Sequence, residues 1–352
     1  MHHATFEEIL SQPTTWDKVL EQVSRERSTF QKYLEELTDQ EVIFIGCGTS
    51  YYLSLSAASL YTRITGKRAR ASSASEVLFY PETVFPASGT GGYAPVFISR
   101  SGETTEVVRA AKEVQTRLGG NTYGVSCRPN SSLIHICDYP LLVPDADEKS
   151  VVMTRSFTSM LLLIQLMTAI TSSNAKFESE LSKLPDLGIA MIDKYRDSVK
   201  DIINDGRYSK FIYLAQGPYY GLASEAMLKI KEMSLSSSEV YYSLEFRHGP
   251  MATVDEDMLI TFFISEHVRE EEVALLREMK KLGASTLALC EAADASIRKV
   301  SDHVIELASD ISDDARMVLY MPVVQLLGYY NAVAKGLDPD HPNNLVQVVT
   351  LR

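Results

Sequence analysis

Short apolar runs recur along this chain, each followed by a turn rich in Gly, Ser or Thr and then by a stretch with helical spacing. Glu41-Val-Ile-Phe-Ile-Gly46 runs into Cys47-Gly-Thr-Ser50, and Val96-Phe-Ile98 runs into Ser99-Arg-Ser-Gly-Glu-Thr104. Unbroken apolar runs bounded by turn residues predict buried strands. Tyr52, Leu55 and Ala58 mark a helix behind the first turn; Val107, Ala111 and Val114, with Glu106 in the first turn, mark one behind the second. Residues 121–127 read as a further strand, 68–76 as a weaker strand and turn, and 81–92 as a loop. The segments 133–137 and 139–143 read as edge-type pieces. Strand and helix alternating in this rhythm predict a parallel sheet covered on both faces.

Outside these units the pattern changes. Residues 5 to about 38 lack strand alternation and carry many charges, so they read as an amphipathic helical lead-in. Residues 145–158 are polar and lead into the apolar run 160–170, which carries Gln165 and is too short to span a bilayer, so it reads as a buried helix. A charged helical connector over 181–203 marks the expected domain boundary. Beyond it the rhythm repeats: 211–220 parallels 42–51, and 257–290 parallels 96–127. The prediction is an α/β chain of two tandem doubly wound parallel-sheet domains, spanning 37–180 and 195–340. A lead-in over 1–36 precedes them and a tail over 341–352 follows. In the second copy the hydroxyl-rich turn is replaced by Ser265-Glu-His-Val268, which is acidic in character.

At 352 residues the chain suits two domains, and 45% hydrophobic with 23% charged residues is an ordinary globular composition. A net charge of −12 argues against nucleic acid as a partner, so an anionic substrate would need a local positive pocket. Cys47, Cys127, Cys137 and Cys290 have no metal-binding spacing and read as reduced thiols of a cytoplasmic protein. No metal site, no cofactor and no membrane segment is expected.

Three stretches carry candidate chemistry. The turn 99–104 opens a helix, where free backbone N–H groups and the dipole favour an anion. Ser99, Ser101 and Thr104 would add donors and Arg100 a charge, although an ordinary capped turn has the same composition. Glu225, Lys229 and Glu232 lie at i, i+4 and i+7 on one helical face. They make either a solvated face with an ion pair, or a carboxylate held beside Lys229 and Lys231 as a general base. His248 precedes Gly249-Pro250, which places it in a turn.

Taken together, Cys47-Gly-Thr-Ser50, Ser99-x-Ser-Gly-Glu-Thr104, Glu225-x-x-x-Lys-x-Lys-Glu232 and Glu245-x-x-His-Gly-Pro250 resemble, in order and spacing, the sugar isomerase (SIS) family. They are most similar to the isomerase module of glutamine–fructose-6-phosphate aminotransferase, from about residue 35 to the tail. The resemblance implies two tandem SIS domains and a homodimer with shared active sites, with the C-terminal tail near the active site. It places a sugar phosphate on Ser50, Ser99, Arg100, Ser101 and Thr104, and puts Thr49, Val151 and Glu225 along the sugar. It makes Glu232 the base between C1 and C2, and by motif Lys229 is the nearest substitute for the family's Schiff-base lysine. It gives His248, reaching in from a neighbouring subunit, to ring opening.

Three departures shape the expected activity. The chain opens Met1-His-His-Ala4 with no Cys after the initiator, so glutamine is not expected as the ammonia source. Arg100 stands where the synthase pattern has Gln. Gln347 stands at the position of a tail lysine that forms a Schiff base in the synthase, chemistry a carboxamide cannot do. The resemblance therefore points to a stand-alone enzyme similar to the SIS-type glucosamine-6-phosphate deaminases. Its partner would be a phosphorylated amino sugar or ketose. The alternatives are a tagatose-6-phosphate-type isomerase, a fructosamine-6-phosphate deglycase and a non-catalytic sugar-phosphate sensor.

Overall fold

A computed structural model describes residues 3–35, 37, 40–87, 92–119, 121–204 and 208–349. The chain divides into two compact units. One comprises Ser11–Pro185 with Val346–Arg352; the other comprises Met1–Leu10 with Asp186–Leu345. The lead-in is thus shared out. Helix α1 (Ala4–Leu10) belongs to the second unit, where Asp340 accepts hydrogen bonds from the backbone N–H groups of Ala4 (2.8 Å) and Thr5 (2.7 Å). Helices α2 (Gln12–Arg25) and α3 (Arg27–Glu35) belong to the first unit.

In the first unit the chain runs β1 (Glu41–Gly46), α4 (Thr49–Thr65), β2 (Ala69–Ser73), α5 (Ala74–Phe79), α6 (Pro81–Val84), β3 (Tyr93–Ile98) and α7 (Thr105–Leu118). It continues through β4 (Tyr123–Ser126), α8 (Ser132–Ile136), β5 (Tyr139–Leu142), α9 (Arg155–Thr171) and α10 (Ala175–Leu181). The five strands pair in parallel in the order β2-β1-β3-β4-β5, with Phe44 opposite Val96 and Ala71. Ile43, Ile45, Phe97, Val107, Ala111 and Val114 form part of one continuous core. α9 is buried along its length, Gln165 included, and packs against α2, α3 and α4.

Two expectations for this unit are corrected. Part of the 81–92 loop is helical, α6, while 88–91 lie outside the described residues. The 133–137 segment is not edge-type but the short helix α8. A tertiary contact overrides its β-branched residues: Glu103 of the preceding turn accepts from Ser132 N–H at 2.7 Å, and Gly102 C=O accepts from Leu133 N–H at 3.0 Å.

α11 (Leu184–Asn204) leads into the second unit. There follow β6 (Lys210–Ala215), α12 (Tyr219–Ser234), β7 (Ser237–Tyr242), β8 (Met258–Phe263), α13 (Arg269–Lys281), β9 (Ser285–Cys290), α14 (Ala295–Val300), β10 (His303–Glu306) and α15 (Met321–Ala334). The sheet order β10-β9-β8-β6-β7 repeats the connectivity of the first, all strands parallel. The sequence reading did not anticipate β7, whose Ser-Ser-Glu-Val-Tyr-Tyr is a polar edge strand with little apolar signal. The apolar stretch Arg316–Ala334 is long enough to cross a membrane, yet 83% of its apolar window is buried inside the unit, as in a core helix. α15 packs on α12 and α1. Gly328 permits the close approach, since a Cβ there would lie 3.2 Å from Lys229 C=O.

Candidate functional site

In the first unit the strand order reverses between β1 and β3, and in doubly wound sheets ligands bind at the carboxyl ends of strands at such a point. The turns that flank it are 47–50 and 99–104. Thr49 and Ser50 are buried in the first turn of α4, whose N-cap is Gly48, with no side-chain cap. Ser99, Arg100 and Ser101 are also buried. Ser99 Oγ accepts from Gly102 N–H at 3.1 Å and Ser101 Oγ from Glu103 N–H at 3.2 Å, which curls the turn tightly. Gly102 carries it at φ +64°, and a Cβ there would collide with Ser131 Oγ.

Thr104 occupies the N-cap of α7 but its side chain makes no capping hydrogen bond; its hydroxyl lies 3.3 Å from Ser99 Oγ instead. A cap residue that turns its hydroxyl back into the turn leaves the helix start to another acceptor. Glu103, an acidic residue inside an anion turn, is drawn off to α8. The turn therefore concentrates hydroxyls and helix-start donors.

Arg100 plays a different part from the one expected. Its guanidinium does not serve as a spare charge for an anion but forms a buried ion pair with Glu148 (Nη1–Oε2 3.1 Å, side chains 4% and 0% exposed). It also donates to the carbonyls of Ser150 (3.4 Å), Val151 (3.1 Å), Val152 (3.4 Å) and Gln347 (3.3 Å). Glu148 in turn accepts from Thr154 N–H (2.6 Å), Thr154 Oγ1 (2.8 Å), Ser156 N–H (3.2 Å) and the Ser156 hydroxyl. The loop before α9 is thereby fastened to the turn, and the Val151 carbonyl is engaged by Arg100. Sequence reasoning missed Glu148; a lone acidic residue in a polar loop carries no signal until its partner is known.

In the second unit, Glu225 and Lys229 are fully buried and Glu232 keeps 19% of its side chain exposed. Lys229 Nζ lies 3.1 Å from Glu225 Oε1 and 2.5 Å from Glu232 Oε2. The solvated-face alternative is thus overturned: α15, β6 and β7 enclose the helix and the charges pair inside. Lys231 is exposed, so one lysine rather than two stands against the carboxylates. Burial by itself disfavours the Lys229 ammonium, but Glu225 and Glu232 outweigh it and hold its pKa above the ordinary value. A lysine held charged is no amine nucleophile, and this one is paired with Glu225 and Glu232.

His248 is exposed between two short 3₁₀ turns, Glu245–Arg247 and Pro250–Thr253, with Gly249 at φ +125°. Buried Phe246 and a two-pronged pair from Arg247 to Glu278 (2.9 and 3.0 Å) anchor this loop.

The counterpart of the anion turn in this unit is filled by the protein's own carboxylates. Asp313 accepts from Ser265 Oγ (2.7 Å) and Glu266 N–H (3.3 Å), and Glu272 accepts from Ser265 N–H (3.0 Å) and Ser243 Oγ (2.7 Å). The acidic character read at 265–268 has this physical basis. Burial pushes the Glu272 carboxyl up to about 8 against its hydrogen bonds from Ser243 and Ser265. The thiols do not compete for a chemical role: burial raises Cys47 to about 11, Cys137 and Cys290 to about 12, and Cys127 well above its usual value. No cluster able to hold a metal ion occurs among the described residues.

Fold and turn define a duplicated doubly wound α/β protein in which one copy carries a hydroxyl-rich turn and the other, at the matching place, holds carboxyl groups of its own. The family model for the SIS domain matches residues 37–170 and 208–332, and the chain belongs to that family. It is similar to glutamine–fructose-6-phosphate aminotransferase of Pseudomonas putida (29% identical, covering 99% of this chain and 59% of that protein). The same enzyme of Helicobacter pylori is 30% identical over 91% of this chain and 53% of that protein. The chain thus spans little more than half the length of these relatives. Among solved structures it is similar to a glucosamine-6-phosphate deaminase from Thermotoga maritima (30% identical, TM-score 0.79, covering 99% of this chain and 100% of that one). It also shares the fold of a tagatose-6-phosphate ketose/aldose isomerase from Escherichia coli (21% identical, TM-score 0.87, covering 97% of each chain).

Proposed function

We propose that the protein acts on an amino-sugar 6-phosphate, converting glucosamine 6-phosphate and water to fructose 6-phosphate and ammonia. The observation that carries this reading is the Lys229 clamp: a buried ammonium fixes one oxygen of Glu232 at 2.5 Å, while part of that side chain remains exposed. A carboxylate so oriented suits proton transfer between two adjacent carbons. The phosphate is assigned to Ser50, Ser99, Ser101 and Thr104 of the first unit, with Thr49 and Val151 along the sugar. Arg100 serves by holding the 150–152 loop. Ring opening is assigned to His248. Glu232 takes the proton from C2 and returns it to C1, leaving an imine at C2. Water then adds to C2 and ammonia departs with the C2–N bond.

The amino-sugar substrate is supported by the full-length similarity to the Thermotoga maritima deaminase. The absence of a lysine at 347 fits a route without a protein Schiff base. Incubation with a panel of phosphorylated amino sugars and ketoses, assayed for ammonia, tests the reading. Ammonia with a ketose phosphate is expected. Aldose–ketose conversion without ammonia would favour the isomerase alternative, and binding without turnover would favour the sensor. The exposed His248 also fits a site completed by a second copy. Mixing inactive Glu232→Gln with inactive His248→Ala should then restore part of the activity; no recovery despite subunit exchange would place both groups in one chain.

A further inference from the structure

The C-terminal tail is held on the first unit by polar contacts rather than by burial. Val346 and Val349 are 65% and 48% exposed, so apolar contact contributes little to its attachment. The Gln347 carboxamide instead works in both directions. Its Nε2 donates to the Glu148 carbonyl at 2.9 Å, and its Oε1 accepts from Arg128 Nη2 at 3.4 Å. Its backbone carbonyl accepts from Arg100 Nη2 at 3.3 Å. Two residues further on, the Val349 carbonyl accepts from Thr105 N–H at 3.2 Å. Thr105 is the first residue of α7, directly after the uncapped Thr104.

We propose that Gln347 is a positioning residue: it latches the tail across the start of α7, so that the tail forms one wall of the hydroxyl-lined turn and helps retain a bound phosphate. The role follows from the donor and acceptor inventory. The Gln347 carboxamide both donates to Glu148 C=O and accepts from Arg128, whereas lysine has no acceptor and would set an ammonium against two guanidinium groups. Arg128 is itself steadied by Asp147 at 3.0 Å, and Arg100 by Glu148, so the latch closes onto a loop already fixed to the turn. The tail carbonyl takes one helix-start N–H and leaves the hydroxyls of Ser99, Ser101 and Thr104 facing the turn.

This role rests on the phosphosugar reading for what the tail serves, but the latch itself does not. Two readouts separate them: amide hydrogen exchange over the segment containing Thr105, and the dissociation constant for inorganic phosphate. In Gln347→Ala, exchange at Thr105 should quicken and phosphate should bind about tenfold more weakly, the loss of roughly one net hydrogen bond. Gln347→Lys should exceed Gln347→Ala in both. Arg128→Met, which attacks the latch from its other side, should reproduce the direction of the change. Unchanged exchange in Gln347→Ala and Arg128→Met would overturn the latch. Faster exchange with undiminished phosphate affinity would overturn its positioning role. Failure of the unaltered protein to bind phosphate would bring down the phosphosugar reading and this role with it, while exchange would still decide the latch.

Discussion

Arg100 Nη2 donates to the backbone carbonyl of Gln347 at 3.3 Å. Both are expected departures from the synthase pattern, and the fold brings them into contact. The arginine that braces the 148–152 loop also receives the tail, through its backbone.

Replacing Arg100 with Met should destabilise the first unit. It leaves Glu148 buried without its counter-charge, for which the usual cost is about 3 kcal/mol or more. Glu148 retains its hydrogen bonds from Thr154 and Ser156, so the fold should persist. Denaturant unfolding measures the effect; a midpoint equal to that of the unaltered protein would mean the buried pair contributes nothing.

The turn itself is most simply broken at Gly102. In Gly102→Ala the positive φ is strained and the new methyl meets Ser131. Loss of even one hydrogen bond to a charged group should weaken phosphate binding by about 1.5–3 kcal/mol. Titration with fructose 6-phosphate, and with fructose as the unphosphorylated control, is the measurement. Equal affinity of variant and parent for the phosphorylated sugar would remove the turn from the site.

Much of this was legible in the sequence, and the reason is local. Runs such as 42–46 and 258–263 are apolar on both faces because their strands are central and parallel, so the two sheets announced themselves. The hydroxyls at 99, 101 and 104 were equally plain. What escaped were features set by distant partners. Nothing near residue 229 says that α15 will cover it, since Gly328 lies far along the chain. The charge at Arg100 looked available because Glu148 stands 48 residues away. β7 carries little apolar signal as a polar edge strand, and the segment of α8 reads as an edge piece because the Glu103 contact that accompanies its helix is not local.

Lys229→Met should cost several kcal/mol, about 3–5 by analogy with other broken buried pairs, because Glu225 is left in the interior without its cation. A further signature is alkaline. The folded-state pKa of Lys229 lies above its unfolded value, so its contribution is fully present below about 10.5 and is lost as pH rises through the folded pKa. The stability gap between parent and variant, followed by chemical denaturation, should therefore narrow only at strongly alkaline pH. A gap that closes near neutrality would mean Lys229 is not held charged.

Glu272 gives the opposite dependence from an ordinary carboxylate. Its folded pKa is raised to about 8 from 4.5, so the folded state binds the proton more tightly than the unfolded chain does. Stability should fall as pH rises from about 4.5 to about 8 and level off beyond. Glu272→Gln, which stays neutral, should flatten that slope and be the more stable protein at pH 8. A variant whose stability tracks the parent across this range would show that Glu272 ionises freely.

In the proposed reaction Glu232, oriented by Lys229, moves the proton between C2 and C1. The direct measurement is solvent deuterium incorporation into the C1–C2 region of the sugar phosphate, followed by NMR with the parent and with Glu232→Gln. General-base catalysis is worth about 10²–10⁴-fold. The variant should therefore lose at least that much exchange and turnover while binding fructose 6-phosphate as the parent does. Exchange in Glu232→Gln at the parental rate would contradict the account and move the base to another residue.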